Sequence, residues 1–407
     1  MPIHVIGLGI NLQDQPASVG QLLSSCTLMV GGQRMLEACR DYPARKIRIK
    51  APLDKVLTDI ESARSQGEHI AVLADGDPLF YGIGRRLLRE LPFQELSFHP
   101  GITALQSAAS RLRIPWDQVH TMSLHGRQEL HPLLRLMSRH EFIAVYTDAT
   151  WSPDVIARAL QKMGIDHFTL HICQDLELPT ETIHSLQCSQ AVDMQFSPLN
   201  FVLLQRTKKP EISVTLGSAD ESFIHEKGLI TKSEIRSTAL GCLHIHPGHT
   251  VWDIGAGCGS IGLEASLLAW EGRVICVEPN PERAAHIRTN RTRTGIFALD
   301  VVAASAPECF PELPDPDRII IGGGISRSPD LLPQAFKRLR PGGKIVVMCT
   351  LLSTLHRARE HIQQAGLEPR VQQINVCRSR PIGTDLRLEP LNPVFLVSAA
   401  SGVPVIR

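Results

Sequence analysis

Short apolar runs separated by helical patterns fill the N-terminal half of the chain. Such runs are typical of buried strands, and the patterns between them are typical of helices that cover a sheet. The runs predict strands at His4–Gly9, Cys26–Val30, Ile70–Ala74, Phe142–Tyr146, Phe168–Cys173 and Phe201–Leu204. The alternation pauses at Ile114–Trp116, which favours two smaller α/β layers over one continuous sheet.

The C-terminal half has a more regular pattern of the same kind. Its apolar runs predict strands at Thr250–Ile254, Arg273–Val277, Val301–Ala303, Arg318–Ile321, Lys344–Cys349 and Val394–Ser398. Helices between consecutive strands imply a doubly wound parallel sheet. Thr231-Lys-Ser-Glu234 is a capping-box pattern that opens a helix running toward Leu243. The polar stretch Arg206–Glu211 predicts a linker, so we expect one domain over 1–206 and a second over 212–407.

Composition narrows the possible function classes. The 407 residues suggest two or three domains, and 43% hydrophobic content is enough for packed interiors. A net charge of +1 without a basic block argues against a nucleic-acid partner held by phosphate contacts. No apolar run approaches the roughly 20 residues of a membrane span, and the opening residues lack signal-peptide features. The ten cysteines form no Cys-x-x-Cys pair, so we expect reduced core thiols in the cytoplasm.

Alternating glycines mark the most informative stretch of the chain, Val251–Gly259. An apolar run there ends in Asp253, and the glycines that follow let a nucleotide-like ligand approach backbone that carries no Cβ. Glu278 ends the next apolar run, 19 residues after Gly259. That distance is close to the ~20 residues expected for an acid that binds ribose hydroxyls. We therefore expect an adenosine-containing cofactor at the carboxyl ends of these strands.

The kind of cofactor depends on the surrounding segments, because the glycine spacing alone also fits a nicotinamide-dependent oxidoreductase. Asp253 favours a cationic, amine-bearing ligand, and Leu339–Lys344 forms a tight turn before a strand. The C-terminal half resembles class I S-adenosylmethionine (SAM) methyltransferases, in particular the corrin methyltransferases that methylate carbon 15 and decarboxylate the ring C acetate. The matching segments are Ile230–Arg236, Asp253–Gly259, Val277–Asn280, Ala306–Glu308, Leu313–Asp317, Ile321–Gly324 and Asn392–Val394. The resemblance implies SAM contacts from Thr231, Asp253, Gly255, Ala256, Gly257, Cys258, Gly259, Glu278 and Ala306.

A second set of motifs lies in the N-terminal half, at Leu73–Gly84, Pro100–Gln106 and Leu124–Arg127, after an opening Gly7-x-Gly9. These motifs resemble the tetrapyrrole methylase family, and among its members most closely the corrin carbon-5 methyltransferases. That fold holds SAM in a cleft between two α/β layers. The resemblance implies cofactor contacts from Asp75, Gly76, Asp77, Phe80, Thr103 and Ala104. A purely structural interpretation is also open, with Asp77 as a helix N-cap and Pro78 at the first helical position.

The two resemblances in this order imply a fused enzyme of cobalamin (vitamin B12) biosynthesis. It would methylate carbons 5 and 15 of a precorrin, a small-molecule tetrapyrrole, and decarboxylate it, with one SAM site in each domain and no metal. Because the substrate carries many carboxylates, Arg and His donors are expected on the protein surface that binds it. The candidates are His125, Arg127, Arg236, Arg378 and Arg380, each of which could instead be an ordinary solvated or surface residue. No residue is assigned as the proton donor.

Three other function classes remain as alternatives. These are the oxidoreductase named above, an RNA or protein methyltransferase with the same C-terminal fold, and a regulatory SAM sensor without turnover. The near-neutral charge weakens the RNA alternative. We also expect a homo-oligomer.

Overall fold

The computed structural model describes residues 2–11, 15–50, 52–226 and 228–402. The chain divides into two compact units. The first comprises Met1–Gln128, His140–Lys162 and Asp166–Thr207, and the second comprises Glu129–Arg139, Met163–Ile165 and Lys208–Arg407. Across the described ranges, no helix combines the length and the apolar character needed to cross a membrane.

The first sheet of the first unit has five parallel strands in the order β3-β2-β4-β1-β5. Its strands are β1 (Ile3–Gly7), β2 (Leu28–Gly31), β3 (Arg45–Arg48), β4 (Ile70–Ala74) and β5 (Leu96–His99). The helices of this layer are α1 (Ala17–Ser25), α2 (Gln33–Ala38), α3 (Asp54–Ser65) and α4 (Gly84–Glu90). Buried aliphatic side chains cover both faces of the sheet, so its central strands are apolar throughout.

A second five-stranded sheet follows in the order β6-β7-β10-β8-β9. Its strands are β6 (Val119–Ser123), β7 (Phe142–Tyr146), β8 (Phe168–Gln174), β9 (Thr182–Leu186) and β10 (Asn200–Arg206). The helices along this part of the chain are α5 (Ala104–Leu112), α6 (His131–Arg139, in the second unit), α7 (Pro153–Lys162) and α8 (Cys188–Ala191). The β6–β7 pair is parallel and the other pairs are antiparallel. The predicted two α/β layers are therefore confirmed.

The second unit contains a seven-stranded sheet in the order β13-β12-β11-β14-β15-β19-β16 and a separate β17–β18 hairpin. Its strands are β11 (Thr250–Ile254), β12 (Arg273–Val277), β13 (Leu299–Val302), β14 (Arg318–Ile321), β15 (Lys344–Cys349), β16 (Arg370–Ile374), β17 (Cys377–Ile382), β18 (Asp385–Pro390) and β19 (Val394–Ala400). Its other helices are α9 (Ser233–Leu243), α10 (Ser260–Leu268), α11 (Pro281–Thr294), α12 (Leu331–Arg338) and α13 (Leu352–Gln364). The strands from β11 to β15 are parallel, as predicted.

The prediction of a wholly parallel sheet is wrong at one edge of this unit. β19 runs antiparallel to both β15 and β16. The sequence between α13 and β19 forms strand and hairpin rather than a crossover helix, so the chain returns to the sheet in the opposite direction.

Two predicted helix starts also differ from the structure. α9 begins at Ser233 with Lys232 as its N-cap, and no side chain caps it, so the capping box at Thr231 is not formed. α4 begins only at Gly84. Asp77 is therefore not a helix N-cap, and its carboxylate instead accepts the Leu79 backbone N–H at 2.8 Å within a tight turn.

Close backbone packing joins the carboxyl ends of three parallel strands in the first unit. A Cβ built on Gly101, after β5, would lie 2.4 Å from the Gly76 carbonyl oxygen and 2.6 Å from the Gly9 nitrogen. Gly76 and Gly9 follow β4 and β1, and the Gly76 N–H donates to the Gly9 carbonyl at 3.1 Å. Only a residue without a side chain fits at Gly101.

Asp253, at the end of β11, is a fully buried carboxylate. One of its oxygens accepts the Gly262 backbone N–H at 3.0 Å, which ties β11 to the first turn of α10. The other oxygen has no hydrogen-bond partner among the described residues. Burial raises the pKa of Asp253 to about 7. The carboxylate lies inside the unit, so its predicted contact with a cationic ligand stays a prediction.

We expect Gly101→Ala to lower the free energy of unfolding by about 1–3 kcal/mol, because the new methyl group forces backbone apart. Gly20→Ala is the matched control: it lies in α1, and its Cβ would meet only the Tyr42 hydroxyl at 3.8 Å. The control should be about 0.5–1 kcal/mol more stable than the wild type. Urea denaturation followed by circular dichroism measures both, and an unchanged midpoint for Gly101→Ala contradicts the packing argument.

The Asp253 carboxylate should make stability depend on pH. Its pKa is about 7 in the folded protein against 3.8 for an ordinary aspartate, so the folded state binds the proton more tightly. Its contribution is therefore fully present below about pH 4 and is lost as the pH rises to about 7. The loss relative to Asp253→Asn should be on the order of 4 kcal/mol.

Denaturation of the wild type, Asp253→Asn and the exposed control Asp330→Asn at both ends of this pH window checks the prediction. If the difference between the wild type and Asp253→Asn does not change with pH, the buried carboxylate is not the cause.

Candidate active site

The first unit contains a cavity of about 220 Å³, here called the N-terminal cleft. It is bounded by the loops after β1 and β4, the start of α5, and the ends of β7, β8 and β10. Its lining residues are Ile10, Arg34, Asp75, Gly76, Asp77, Phe80, Tyr81, Gly82, Thr103, Ala104, Tyr146, Cys173, Leu176, Leu199, Asn200 and Phe201. All six cofactor residues predicted for this half are among them, so the structure brings these separate motifs together.

Local hydrogen bonds hold the predicted residues in place. Thr103 caps α5 through a capping box: its hydroxyl accepts the Gln106 backbone N–H at 3.2 Å, and its own N–H donates to the Gln106 side chain at 2.9 Å. Asp75 forms an ion pair with Arg34 at 2.5 Å. The sequence analysis did not identify Arg34, because it lies in a separate helix, α2, far from Asp75 along the chain.

Aromatic side chains form one wall of the N-terminal cleft. Tyr146 lies 5.9 Å from Phe80 and 5.0 Å from Phe201, measured between ring centroids in edge-to-face geometry. Burial raises the pKa of Tyr146, so its hydroxyl stays protonated. Of these three residues, only Phe80 was predicted as a site residue. The other two lie in predicted strands, where an aromatic residue signals burial and gives no sign of a cavity.

His125 and Arg127 lie in the exposed loop after β6, and neither is among the described residues that line the cleft. Arg127 donates to the Ser123 carbonyl at 2.8 Å. Asp148 holds the same loop, because it accepts the Gly126 backbone N–H at 2.8 Å. That hydrogen bond, with others from Trp151 and Thr150, lowers the pKa of Asp148. The loop is thus ordered, and its predicted role in substrate binding stays a prediction.

The second unit contains a larger cavity of about 510 Å³, the C-terminal cleft. It lies at the carboxyl ends of the parallel strands, where ligands bind in doubly wound sheets. Its lining residues are Gly228, Leu229, Ile230, Thr231, Lys232, Ile235, Gly255, Ala256, Gly257, Cys258, Ser260, Ile261, Gly322, Met348, Thr350, Val376, Leu391, Asn392 and Val394. Thr231 and the four residues Gly255–Cys258 are predicted site residues that it brings together.

The glycine loop after β11 has the backbone conformation that its sequence requires. Gly255, Gly257 and Gly259 have φ angles of 70°, 58° and 79°. A Cβ on Gly259 would also lie 2.7 Å from the Ile287 side chain, so this glycine packs against α11 rather than lining the cleft. The Gly255 N–H donates to the Val277 carbonyl at 2.9 Å, which fixes the loop to the end of β12.

Glu278 is buried directly behind the same loop. Its carboxylate accepts the Gly257 backbone N–H at 2.8 Å and the Asn280 backbone N–H at 3.1 Å. It is therefore bonded to a residue that lines the cleft without lining it itself. Ala306 is half-buried against the core of the sheet and is also outside the described lining. Like that of Glu278, its predicted cofactor contact stays a prediction.

The arginines predicted to bind substrate have internal partners. Arg236 is completely buried and bonds to Asp220 at 2.7 Å and Glu264 at 2.8 Å, so its predicted contact with a substrate carboxylate is wrong. Arg378 is bonded to Glu234 and Asp220. Arg380 pairs with Glu389 across the exposed β17–β18 hairpin at 2.9 Å.

The sequence analysis missed several residues of the C-terminal cleft, including Lys232, Met348 and Thr350. Lys232 follows Thr231 in a matching segment, so the motif could have indicated it. Asn392 and Val394 also belong to a matching segment. Met348 and Thr350 lie at the carboxyl end of β15, where only the strand order brings them to the cleft. No group of three His, Cys, Asp or Glu side chains in the described ranges could hold a metal ion.

Two family models match successive parts of the chain. The model for tetrapyrrole (corrin/porphyrin) methylases covers residues 2–190. The model for the precorrin methyltransferase domain covers residues 221–400.

Known relatives match either the whole chain or one half of it. A probable cobalt-precorrin-6B C(15)-methyltransferase (decarboxylating) of Pyrobaculum aerophilum is 35% identical over 46% of this chain and 96% of its own length. The crystal structure of a precorrin-6y C5,15-methyltransferase from Geobacter metallireducens is 35% identical, covers 46% of this chain and 97% of that chain, and has a TM-score of 0.44.

Another relative matches along nearly the full length of both chains. The precorrin-6Y C(5,15)-methyltransferase (decarboxylating) of Sinorhizobium sp is 30% identical over 98% of this chain and 96% of the relative. The chain therefore belongs to the precorrin-6Y C(5,15)-methyltransferase (decarboxylating) family.

Proposed function

We propose that the chain methylates a precorrin-6Y-type tetrapyrrole at carbons 5 and 15 and decarboxylates its ring C acetate, with one SAM site in each unit. As a member of its family, it is a methyltransferase of cobalamin biosynthesis. The observation that carries the proposal is the pair of separate clefts. Each is lined by residues that the sequence motifs assign to a cofactor.

The residues of the C-terminal cleft fit SAM. Gly255 and Gly257 present no Cβ to the cleft, and Ala256 between them carries only a methyl group, so a flat nucleoside can lie against this loop. The first turn of α10 offers the positive end of a helix to the carboxylate of the methionine portion, and Ser260 and Ile261 line the cleft there. We also propose that Glu278, which accepts the Gly257 N–H behind the loop, binds the ribose hydroxyls. The cavity volume of about 510 Å³ is typical of cofactor sites.

The residues of the N-terminal cleft also fit SAM. The Asp75–Asp77 loop supplies carboxylates and a glycine, and Thr103 and Ala104 supply the start of α5. Phe80 supplies an aromatic surface against which an adenine ring can pack.

We assign carbon-5 methylation to domain 1–206, and carbon-15 methylation with decarboxylation to domain 212–407. The relative named as a C(15)-methyltransferase (decarboxylating) covers only 46% of this chain, which supports a single unit carrying both of those steps. The precorrin methyltransferase model spans 221–400, which supports the second unit as that one. A homo-oligomer in the cytoplasm, with no nucleic-acid partner, is part of the same proposal.

Catalysis depends mainly on how the protein positions the methyl donor and the substrate. SAM supplies a methyl group that its sulfonium charge already activates. The chain's residues orient the donor, exclude water and hold the substrate. When carbon dioxide leaves, its bonding electron pair passes into the conjugated macrocycle, and a carbon then takes up a proton.

His125, Arg127 and Arg380 are exposed, and Lys232 lines the C-terminal cleft. These four side chains are our candidates for binding substrate carboxylates.

A mass measurement tests the function directly. The full-length chain is incubated with a precorrin-6 pool and SAM, and we expect a product that has gained two methyl groups and lost one carbon dioxide. An unchanged mass in the presence of SAM contradicts the proposal. Gain of a single methyl group without decarboxylation contradicts the assignment of the second unit.

Glu278→Ala should weaken SAM binding at the C-terminal cleft by about tenfold or more, because a hydrogen bond to a charged group is lost. Carbon-15 methylation should then require more SAM, while carbon-5 methylation by the same chain serves as an internal reference. Isothermal titration calorimetry and product masses at limiting SAM provide the measurements.

The exposed Glu282→Ala is the matched control and should behave as the wild type. Glu278→Gln keeps an oxygen for the Gly257 N–H. Wild-type affinity in that variant, together with loss in Glu278→Ala, means that Glu278 supports the loop and does not bind ribose.

A further inference from the structure

Six charged side chains form one connected group beside the C-terminal cleft, here called the Asp220 network. Its members are Asp220, Lys232, Glu234, Arg236, Glu264 and Arg378. Three are cations and three are carboxylates, so their charges balance. They belong to α9 and its N-cap Lys232, to α10, to β17 and to a 3-10 turn at Asp220–Ser222. The network therefore joins segments that are distant in sequence.

The inner half of the network is almost inaccessible to solvent. Arg236 and Glu264 are both 0% exposed, and the Arg236 Nε donates to Glu264 at 2.8 Å. Arg236 also donates to Asp220 at 2.7 Å and to the Thr231 carbonyl at 2.5 Å. Removing one member would leave a buried charge without its partner, which is strongly unfavourable. This half is a permanent part of the fold.

The outer half is formed by Arg378 on β17. Its Nε donates to one oxygen of Glu234 at 2.9 Å, and a terminal nitrogen donates to the other oxygen at 2.7 Å. The same terminal nitrogen donates to Asp220 at 3.1 Å. The Arg378 hydrogen bond lowers the pKa of Glu234 to about 2, so this carboxylate stays ionised near neutral pH. A two-point contact of this kind fixes both position and orientation.

The network touches three walls of the C-terminal cleft. Thr231 and Lys232 line the cleft. The Thr231 carbonyl accepts a hydrogen bond from Arg236, and Lys232 forms an ion pair with Asp220. Glu264 belongs to α10, whose first residues also line it. Val376, two residues before Arg378, lies in the wall at the base of the hairpin. Arg378 therefore connects the hairpin wall to the α9 wall.

We propose that Arg378 is a positioning residue for the decarboxylating methylation. It holds the base of the β17–β18 hairpin against the start of α9 through Glu234 and Asp220. This inference rests on the proposed function of the C-terminal cleft. In this inference Arg378 does not bind the substrate directly, because two nitrogens of its guanidinium are already engaged by carboxylates. Arg378 acts on the cleft through the walls that it joins.

The test uses the full-length chain with Arg378→Gln, Glu234→Gln, the double variant and Arg378→Lys. Arg387→Gln is the matched control, since Arg387 is an exposed arginine on the same hairpin and forms its ion pair with Glu389, outside the Asp220 network. Steady-state product masses give kcat and KM for carbon-15 methylation, and carbon-5 methylation reports that the chain is folded. Hydrogen–deuterium exchange with S-adenosylhomocysteine follows the segment 228–232.

We expect Arg378→Gln and Glu234→Gln each to raise KM for SAM at the C-terminal cleft by about tenfold, with a smaller change in kcat. The double variant should lose no more than Arg378→Gln, because that single variant already removes the contact with Glu234. Protection of the segment 228–232 by S-adenosylhomocysteine should fall in all three. Arg378→Lys should recover only part of the loss, since an ammonium cannot make the two-point contact.

Three results would overturn the inference. Wild-type kinetics and protection in Arg378→Gln mean that the contact is dispensable. A loss in Arg378→Gln with none in Glu234→Gln means that the contact with Glu234 does not position the hairpin base. Additive losses in the double variant mean that the two residues act separately. If the wild type carries out no carbon-15 methylation, the proposed function fails, and the exchange experiment still decides whether Arg378 orders the cleft wall.

Discussion

Backbone packed directly against backbone at the carboxyl ends of parallel strands shapes both clefts. In the first unit, Gly101 lies where its Cβ would meet the Gly76 oxygen at 2.4 Å. In the second unit, a Cβ on Gly255 would lie 3.1 Å from the Gly323 nitrogen, and the neighbouring Gly322 N–H donates to the Ile254 carbonyl at 2.9 Å. Strand ends that approach this closely leave concave space beyond them, and side chains from other elements then define its walls. The architectures of the two units differ, yet each uses this constraint to place a cleft at the carboxyl ends of parallel strands.

Charge inside the second unit has a structural function as well as a chemical one. Arg236 and Glu264 neutralise each other without solvent, while Asp253 has no cationic partner among the bonds described and has a raised pKa. The difference follows from the partners, because Asp253 accepts only one backbone N–H and one weak thiol hydrogen bond, whereas Arg236 is surrounded by acceptors. The paired group supports the wall of the cleft, and the unpaired one makes stability depend on pH. Both residues occupy motif positions where direct ligand contact was the simpler expectation.

The predictions succeeded where information is local. Six strands, including Ile70–Ala74 and Lys344–Cys349, have the predicted bounds, since each is dominated by apolar residues that are mostly buried. The missed strands are edge or hairpin strands. β3 reads Arg-Lys-Ile-Arg and is mostly exposed, so no apolar run indicates it. The same reason explains the missed hairpin β17–β18, and without it the antiparallel return of β19 could not be foreseen.

The sequence by itself determined the two α/β halves, the central strands and the motif loops, because apolar periodicity and glycine placement act over a few neighbouring residues. It also indicated six of the residues that line the N-terminal cleft, those of the loop after β4 and the start of α5. Only the tertiary structure decided that Arg34 joins Asp75, that Tyr146 and Phe201 form the facing wall, and that Arg378 is held by Glu234. These pairings link elements far apart along the chain. The direction of a side chain at a strand end, inward for Asp253, depends on what packs above it, which no local pattern contains.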